Sequence, residues 1–296
     1  MRVFVTGASG WIGSAVVPEL LNAGHRVLGL ARSDTAAATL AALGAEVHRG
    51  DLDDPESLRA GAAASDGVVH LGYHHDFSAM EAAARLDLAA IDALGGALEG
   101  SGRPLVVAAG ILGLAPGRVA TERDEPDPAA HPRVAGVRAA LAFAARGVRP
   151  SAVRLPPTVH GAGDHGFVAF LVRVAREKGV SAYIGDGENR WPAVHRLDAA
   201  SLVRLALDHA PAGVALHATA EEGVPTRAIA EAIARGLDLP LVSIPADRAA
   251  DHFGWLGRFF GADAPAASTA TRELLGWKPA QPGLIEDLDA GHYFRR

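Results

Sequence analysis

The stretch Arg2-Val3-Phe4-Val5-Thr6-Gly7-Ala8-Ser9-Gly10-Trp11-Ile12-Gly13 decides how the chain is read. Its first five residues form a candidate buried strand, and Gly7 to Gly13 a glycine-rich turn. Ser14 to Ala23 then open a helix with apolar residues at Val16, Val17, Leu20 and Leu21. A strand, a tight turn and a helix N-terminus make an anion site, because unpaired N–H groups and the helix dipole converge there. Gly7 permits the sharp turn, and Gly10 lets the backbone approach a pyrophosphate. Gly13 lets the helix pack closely on the strand. An ordinary turn is the bland alternative; the flanking strand and helix favour a dinucleotide. The expected contacts are Thr6, Gly7, Ser9, Gly10, Trp11, Ile12 and Gly13.

The glycine spacing is G-x-x-G-x-x-G rather than G-x-G-x-x-G. It resembles the short-chain dehydrogenase/reductase superfamily, in its extended, epimerase-like branch. The resemblance implies an α/β fold: a Rossmann-type doubly wound parallel sheet with a smaller C-terminal substrate lobe. Residues 1–155 would form the dinucleotide-binding domain. Residues 156–296 would be mainly the lobe, with some segments returning to the sheet.

The bulk composition agrees with a soluble globular protein. The chain has 296 residues, 49% of them hydrophobic and 21% charged. A net charge of −6 gives no electrostatic footprint for nucleic acid or an anionic membrane. No apolar run is long enough to span a bilayer. The N-terminus enters a core strand at once, leaving no room for a signal peptide. Without cysteine there is neither disulfide nor thiolate site, and a cytoplasmic location is expected.

After the first helix, Arg26 to Ala31 is a second strand ending in Arg32-Ser33-Asp34. A carboxylate at this point would accept hydrogen bonds from the adenosine ribose. Arg32 instead offers a planar charged fork suited to phosphate, and Ser33 adds a hydroxyl. Asp34 argues the other way. The balance favours NADPH, with NADH possible. Residues 35–43 read as a helix and Ala45 to Arg49 as a third strand. The resemblance places Asp51 at the adenine amino group, with Leu52 beside it. Asp53 or Asp54 begins the next helix, with Pro55 at its first position.

Gly67-Val68-Val69-His70-Leu71-Gly72 is strand four and resembles the family's V-V-H-L-A-A run, which puts Leu71 and Gly72 beside the cofactor. Tyr73-His74-His75-Asp76 follows. Three histidines within six residues raise a metal reading, but two are adjacent and no further ligand pattern supports them. A substrate-facing loop at the strand's carboxyl end is preferred, with Tyr73 and His75 toward substrate. Phe77 to Glu99 reads as a long helix.

Strand five, Pro104 to Ala109, shows a departure. The family carries a serine or threonine after it to hydrogen-bond the substrate carbonyl; here the run is Val107-Ala108-Ala109-Gly110-Ile111. Ala108 is expected at the cofactor, and Gly110 and Ile111 at substrate. The family then places a tyrosine on the following helix, with a lysine four residues later. Aligning the helix His131 to Arg146 puts Arg133 at the tyrosine position and Val137 at the lysine position. The three tyrosines are Tyr73, Tyr183 and Tyr293, and the lysines Lys178 and Lys278, so no Tyr-x-x-x-Lys exists in the chain.

Strand six, Ser151 to Leu155, leads into Pro156-Pro157-Thr158-Val159-His160-Gly161, which resembles the family's R-P-x-x-V-Y-G beside the nicotinamide. Pro156, Pro157 and Val159 are therefore expected at the carboxamide. His160 stands where the family has tyrosine. Structural or proton-transfer roles are both open for it, and Tyr73 is the other candidate acid. In the lobe, His165, Phe167 and Trp191 are expected toward substrate, with burial as core equally open for Trp191. The aromatic run from His252 to Phe260 reads as lobe core or pocket wall. Asp198 is expected to anchor a helix N-terminus.

A complete cofactor site without the usual acid pair suggests a ketoreductase with an unconventional or substrate-assisted proton source. The pattern resembles tailoring ketoreductases of bacterial angucyclines, whose aromatic polyketide substrates place a phenol beside the ketone. A non-catalytic NADP(H) sensor and a dehydratase, cyclase or isomerase using the dinucleotide as scaffold stay open. A small-molecule substrate, a monomer or homodimer, and no nucleic-acid or membrane partner complete the expectation.

Overall fold

The computed structural model describes residues 1–74, 79–129 and 131–295. The main sheet uses β1 (Arg2–Thr6), β2 (Arg26–Ala31), β3 (Glu46–Arg49), β4 (Gly67–His70), β5 (Pro104–Gly110) and β6 (Arg149–Leu155). Four short strands follow in the second half: β7 (Thr158–His160), β8 (Ser181–Ile184), β9 (Arg190–His195) and β10 (Val214–His217). The last two are β11 (Glu221–Pro225) and β12 (Leu241–Ile244). The seven-stranded sheet has the order β10-β6-β5-β4-β1-β2-β3, every pair parallel. Chain direction across the sheet reverses between β1 and β4. That reversal opens a crevice at the strands' carboxyl ends, where α/β sheets bind ligands.

Alternation along β1 explains the two helical layers. Val3 and Val5 face one side and join Val16, Val17 and Leu20 of α1 (Gly13–Asn22), while Phe4 faces the other with Leu58 and Ala62. Each such aliphatic side chain taken from water contributes about 1.5–3 kcal/mol. The helices α2 (Asp34–Ala42), α3 (Pro55–Ala63), α4 (Met80–Gly96) and α5 (Val134–Ala142) complete the connections between these strands. The expected long helix from Phe77 is described only from Met80, and the helix expected over His131–Arg146 is shorter. Its first turn begins at Val134, and a 3₁₀ turn at Phe143–Arg146 ends it on Gly147 in the left-handed conformation.

Beyond β7, α6 (Phe167–Lys178) packs with the two-stranded β12-β8 sheet and the antiparallel pair β11-β9. The core there holds Trp191, Phe253, Leu256 and Phe260, with Trp255 and Phe259 of the same aromatic run half-buried against it. The chain then returns. α7 (Arg196–His209) buries Leu202, Val203 and Ala206 in the core of the main sheet, and β10 becomes its seventh strand. Among the described residues, no helix is long and apolar enough to cross a membrane.

Candidate active site

The glycine turn is closed by two backbone bonds, Gly10 N–H to Gly7 O at 3.0 Å and Ser14 N–H to Gly10 O at 2.8 Å. Gly7 has φ +65°, and a Cβ there would lie 2.7 Å from the backbone nitrogen of Gly72. A Cβ on Gly13 would lie 2.0 Å from Gly7 O, so α1 meets β1 at a distance only glycine allows. α3 is capped by Asp54, one of the two residues expected to begin it, and α2 by Ser33, which the sequence had pointed to for phosphate. The N-cap of α1 is Ile12, which has nothing to offer. Among the described residues, the N–H groups of Trp11, Ile12 and Gly13 have no protein acceptor, and Ser9 and Gly10 beside them are exposed. This is an open cradle of donors at a helix's positive end, and it fits a pyrophosphate.

The flanks of the cradle come from distant segments. The indole of Trp11 donates to Val159 O at 2.8 Å, the guanidinium of Arg196 lies 4.2 Å over the same ring, and Arg196 donates to Ser14 Oγ at 3.2 Å. His165 is exposed and meets Trp11 edge-on at 5.6 Å. On the adenosine side, Arg32 is exposed and makes no ion pair among the described residues. Ser33 uses its oxygen to accept from Ala36 N at 3.2 Å. Asp34 is held by Arg49 at 2.5 Å, which offsets the charge that argued against phosphate. Asp51 keeps one carboxylate oxygen free of Leu52 N, its 2.6 Å partner, and Leu52 packs over Gly72.

At the other end of the crevice, a buried polar chain joins four elements. Thr6 Oγ1 accepts from Gly72 N at 3.1 Å and lies 2.7 Å from His70 Nδ1. His70 Nε2 is 3.2 Å from one oxygen of Asp87, and Arg133 Nε donates to the other at 3.3 Å. Burial raises the Asp87 carboxyl, but the His70 hydrogen bond and the Arg133 charge outweigh it and hold the group below the usual carboxylate range. The Arg133 guanidinium then lies 4.1 Å over the ring of Tyr73. Burial pushes the Tyr73 phenol up, and Arg133 opposes that shift. Sequence reading located Arg133 and Tyr73 but not Asp87, which stands 46 residues from Arg133 and carries no local signal.

Several expected residues lie elsewhere. His160 is 0% exposed, bonded through Nδ1 to Asp287 at 2.9 Å and packed edge-on against His195 at 5.4 Å. Pairing of β7 with β9 turns it inward, so it braces β7 against the helix Leu284–Asp289 and does not reach the crevice. Trp191 is likewise 0% exposed, donates to Ala262 O at 3.2 Å and belongs to the lobe core, while Phe167 is half-buried with its ring 5.7 Å from the Trp191 ring. Ile111 is buried with Ala115, Ala120 and Ala266, while Gly110 is exposed at the end of β5. Ala108 and Pro156 are buried, Pro157 half-buried. His75 lies outside the described residues.

The sequence profile of the NAD dependent epimerase/dehydratase family matches residues 3–218. The chain belongs to that family. Within it, an uncharacterized protein of Schizosaccharomyces pombe is 48% identical over 99% of this chain and 100% of its own. A 4-hydroxy-2-methyl-3-oxo-4-farnesyl-3,4-dihydroquinoline-1-oxide ketoreductase of Stigmatella aurantiaca is 28% identical over 93% of this chain and 87% of its own. The fold matches that of a dTDP-glucose 4,6-dehydratase from Streptomyces venezuelae, solved with NAD bound. The TM-score is 0.80 at 19% identity, over 99% and 96% of the two chains. Family membership and a distant ketoreductase relative are thus established, together with the Rossmann-type sheet.

Proposed function

We propose that this family member is an NADPH-dependent ketoreductase acting on a bulky, aromatic-polyketide-like ketone without a Tyr-x-x-x-Lys pair. The observation that carries the reading is the uncapped N-terminus of α1, with three unpaired N–H groups facing the crevice. Those groups would hold the pyrophosphate, and Arg32, unpaired beyond β2, the 2′-phosphate. Backbone near Pro157 would hold the carboxamide. When bound, the reduced nicotinamide supplies a hydride to the carbonyl carbon. The protein's part is to hold the ketone against it and to exclude water.

A bulky ketone is supported by the name of the Stigmatella aurantiaca relative, a reductase of a 3-oxo dihydroquinoline. Because Trp191 packs inward, the described residues left to the rim are Tyr73, Gly110, His165 and the half-buried Phe167. The test is NADPH absorbance decay with a panel of aromatic ketones, each paired with its O-methylated phenol. Oxidation by any member supports the reductase. NADPH binding in a calorimeter without oxidation across the panel supports a sensor, and product of unchanged hydrogen count supports a dehydratase, cyclase or isomerase.

A further inference from the structure

We infer that Tyr73 is the proton donor of this site and that Arg133, fixed by Asp87 and His70, is the cation that positions it and stabilises its phenolate. The inference rests on the reductase reading above and supplies the group that reading lacks. In the family pattern both members of the acid pair stand on one helix; here they are divided between two elements. The phenol comes from the segment leaving β4, on the border of the crevice. The cation stands at the N-terminus of α5, the position the family gives to tyrosine.

Three observations carry it. The first is placement: Gly72, immediately before Tyr73, donates its N–H to Thr6 at the end of β1, so the backbone bearing the phenol is pinned where β1 and β4 part. The second is the stack of Arg133 on the Tyr73 ring at 4.1 Å. A guanidinium over an aromatic face is attracted to the neutral ring, and to a phenolate more strongly still. The third is how firmly Arg133 is held. Asp87 is 5% exposed and His70 is 0% exposed, so the carboxylate has no water to turn toward.

The hydrogen-bond directions in that chain are set by elimination. The Asp87 carboxylate can only accept, so His70 Nε2–H donates to one oxygen and Arg133 to the other. That leaves His70 Nδ1 to accept from the Thr6 hydroxyl, whose oxygen in turn accepts from Gly72 N–H. Every member has a partner of the right kind, and a fully satisfied buried network is rigid. Among the described residues, the charged groups facing the phenol are Arg133 from the start of α5 and Asp87 from α4; His131 accepts from Arg133 N at 3.1 Å, and burial lowers its pKa.

The step balances without a further reactant. As the carbonyl carbon gains the hydride, the C=O π pair moves onto oxygen. That oxygen takes the proton of the Tyr73 O–H, whose bonding pair stays on the phenolate beneath Arg133. A proton taken up from bulk solvent then restores the phenol, so each turnover consumes one H⁺. The arrangement gives a site whose phenol is protonated at neutral pH and whose anion is stabilised by a fixed cation.

The experiment compares wild type with Y73F, R133M, R133K and D87N, using Y183F as a control in the lobe, each checked for an unchanged melting temperature. Y73F is expected to lose about 10²-fold or more in kcat with KM within about threefold. R133M should lose kcat and move the basic limb of the pH profile upward, R133K should recover part of both, and D87N should lose part of kcat as Arg133 loosens but move the basic limb downward, because the Asp87 charge raises the phenol. A second readout needs no turnover: absorbance titration of the tyrosines in cofactor-free protein. The wild-type minus Y73F difference should titrate above the ordinary phenol value of about 10, and higher again in R133M. Y73F within threefold of wild-type kcat overturns the inference and leaves the reductase standing. A Tyr73 titration that R133M does not move overturns the role of Arg133. No oxidation by wild type with any ketone overturns the reductase reading, and the proton role with it.

Discussion

The indole N–H of Trp11 donates to the carbonyl of Val159 at 2.8 Å, joining residues 148 positions apart. The turn that would take the pyrophosphate and the strand that would lie along the nicotinamide are therefore one hydrogen-bonded frame. W11F keeps the ring under Arg196 but removes the donor and leaves a half-buried carbonyl unpaired. A loss of about 1–1.4 kcal/mol follows, or about 5- to 10-fold weaker NADPH binding by calorimetry. An unchanged Kd would show that the two halves of the crevice align without this bond.

The glycines of the turn separate folding from binding. At Gly13 a methyl group would lie 2.0 Å from a backbone oxygen, which cannot swing away. G13A should destabilise by about 3 kcal/mol or more, or fail to fold. At Gly10 the nearest atom is 3.1 Å away and the residue is exposed on the ligand side. G10A should therefore melt within about 2 °C of wild type and still weaken dinucleotide binding about tenfold or more by crowding the cradle. Equal effects of the two on binding and melting would contradict this division.

The βαβ start was legible because its causes are local: Val3, Phe4 and Val5 for a strand buried on both faces, and three glycines where backbone must approach backbone. The cap Asp54, before Pro55, follows from the same short-range logic. What stayed hidden depends on long-range pairing. His160 looked like a crevice residue because the sequence beside it resembles the nicotinamide strand. Whether its side chain faces in or out is set by pairing with β9, some thirty-five residues later. Asp87, on the face of a helix rich in alanine, gives no sign that its partners are His70 and Arg133. The lobe aromatics were ambiguous for a related reason: an aromatic run is the same in sequence whether it lines a pocket or fills a core.

Cofactor preference should follow Arg32. The residue is exposed and unpaired beyond β2, and the neighbouring carboxylate of Asp34 is occupied by Arg49. R32A should weaken NADPH by about tenfold, the scale of one charge-assisted hydrogen bond, and leave NADH within about twofold. R49A should act in the same direction by freeing Asp34 to repel the 2′-phosphate. Equal loss for both dinucleotides would place Arg32 away from the 2′ position.

Acid sensitivity should arise from histidines kept neutral by burial. His131, His195, His217 and His252 all have pKa values lowered from the ordinary 6.5, desolvation being the leading cause. Below the unfolded value the unfolded chain takes up protons that the folded chain refuses. Stability is therefore complete above about pH 6.5 and falls as the pH drops from there toward the folded values. His217 is the sharpest case. Its Nδ1 donates to Ala267 O at 2.7 Å, and its Nε2 faces the Arg154 guanidinium at 3.3 Å. A second proton would set cation against cation. Melting temperature should drop between pH 7 and pH 5, and H217Q should flatten that slope; an unchanged slope in H217Q would assign it to the other three.

Asp198 fastens the C-terminal segment to the main sheet. It stands in the first turn of α7, where its charge suits the helix N-terminus as the sequence leads one to expect, while the cap itself is His195, which accepts from Leu197 N at 3.3 Å. The carboxylate of Asp198, 5% exposed, instead accepts from the N–H groups of Ala280 and Gln281, both at 3.0 Å. The indole of Trp277 donates to the Asp198 carbonyl at 3.1 Å, so the segment is tied to both backbone and side chain. D198A would leave two amides without acceptors, at a cost of about 2–4 kcal/mol. The melting temperature should fall by several degrees, and limited proteolysis should open first near residues 278–283. Because the cradle of α1 takes nothing from this anchor, NADPH affinity measured well below the melting point should stay within about twofold of wild type. A Kd that weakened in step with the proteolysis would mean that the C-terminal segment, through Asp287 and His160, also braces the nicotinamide side of the crevice.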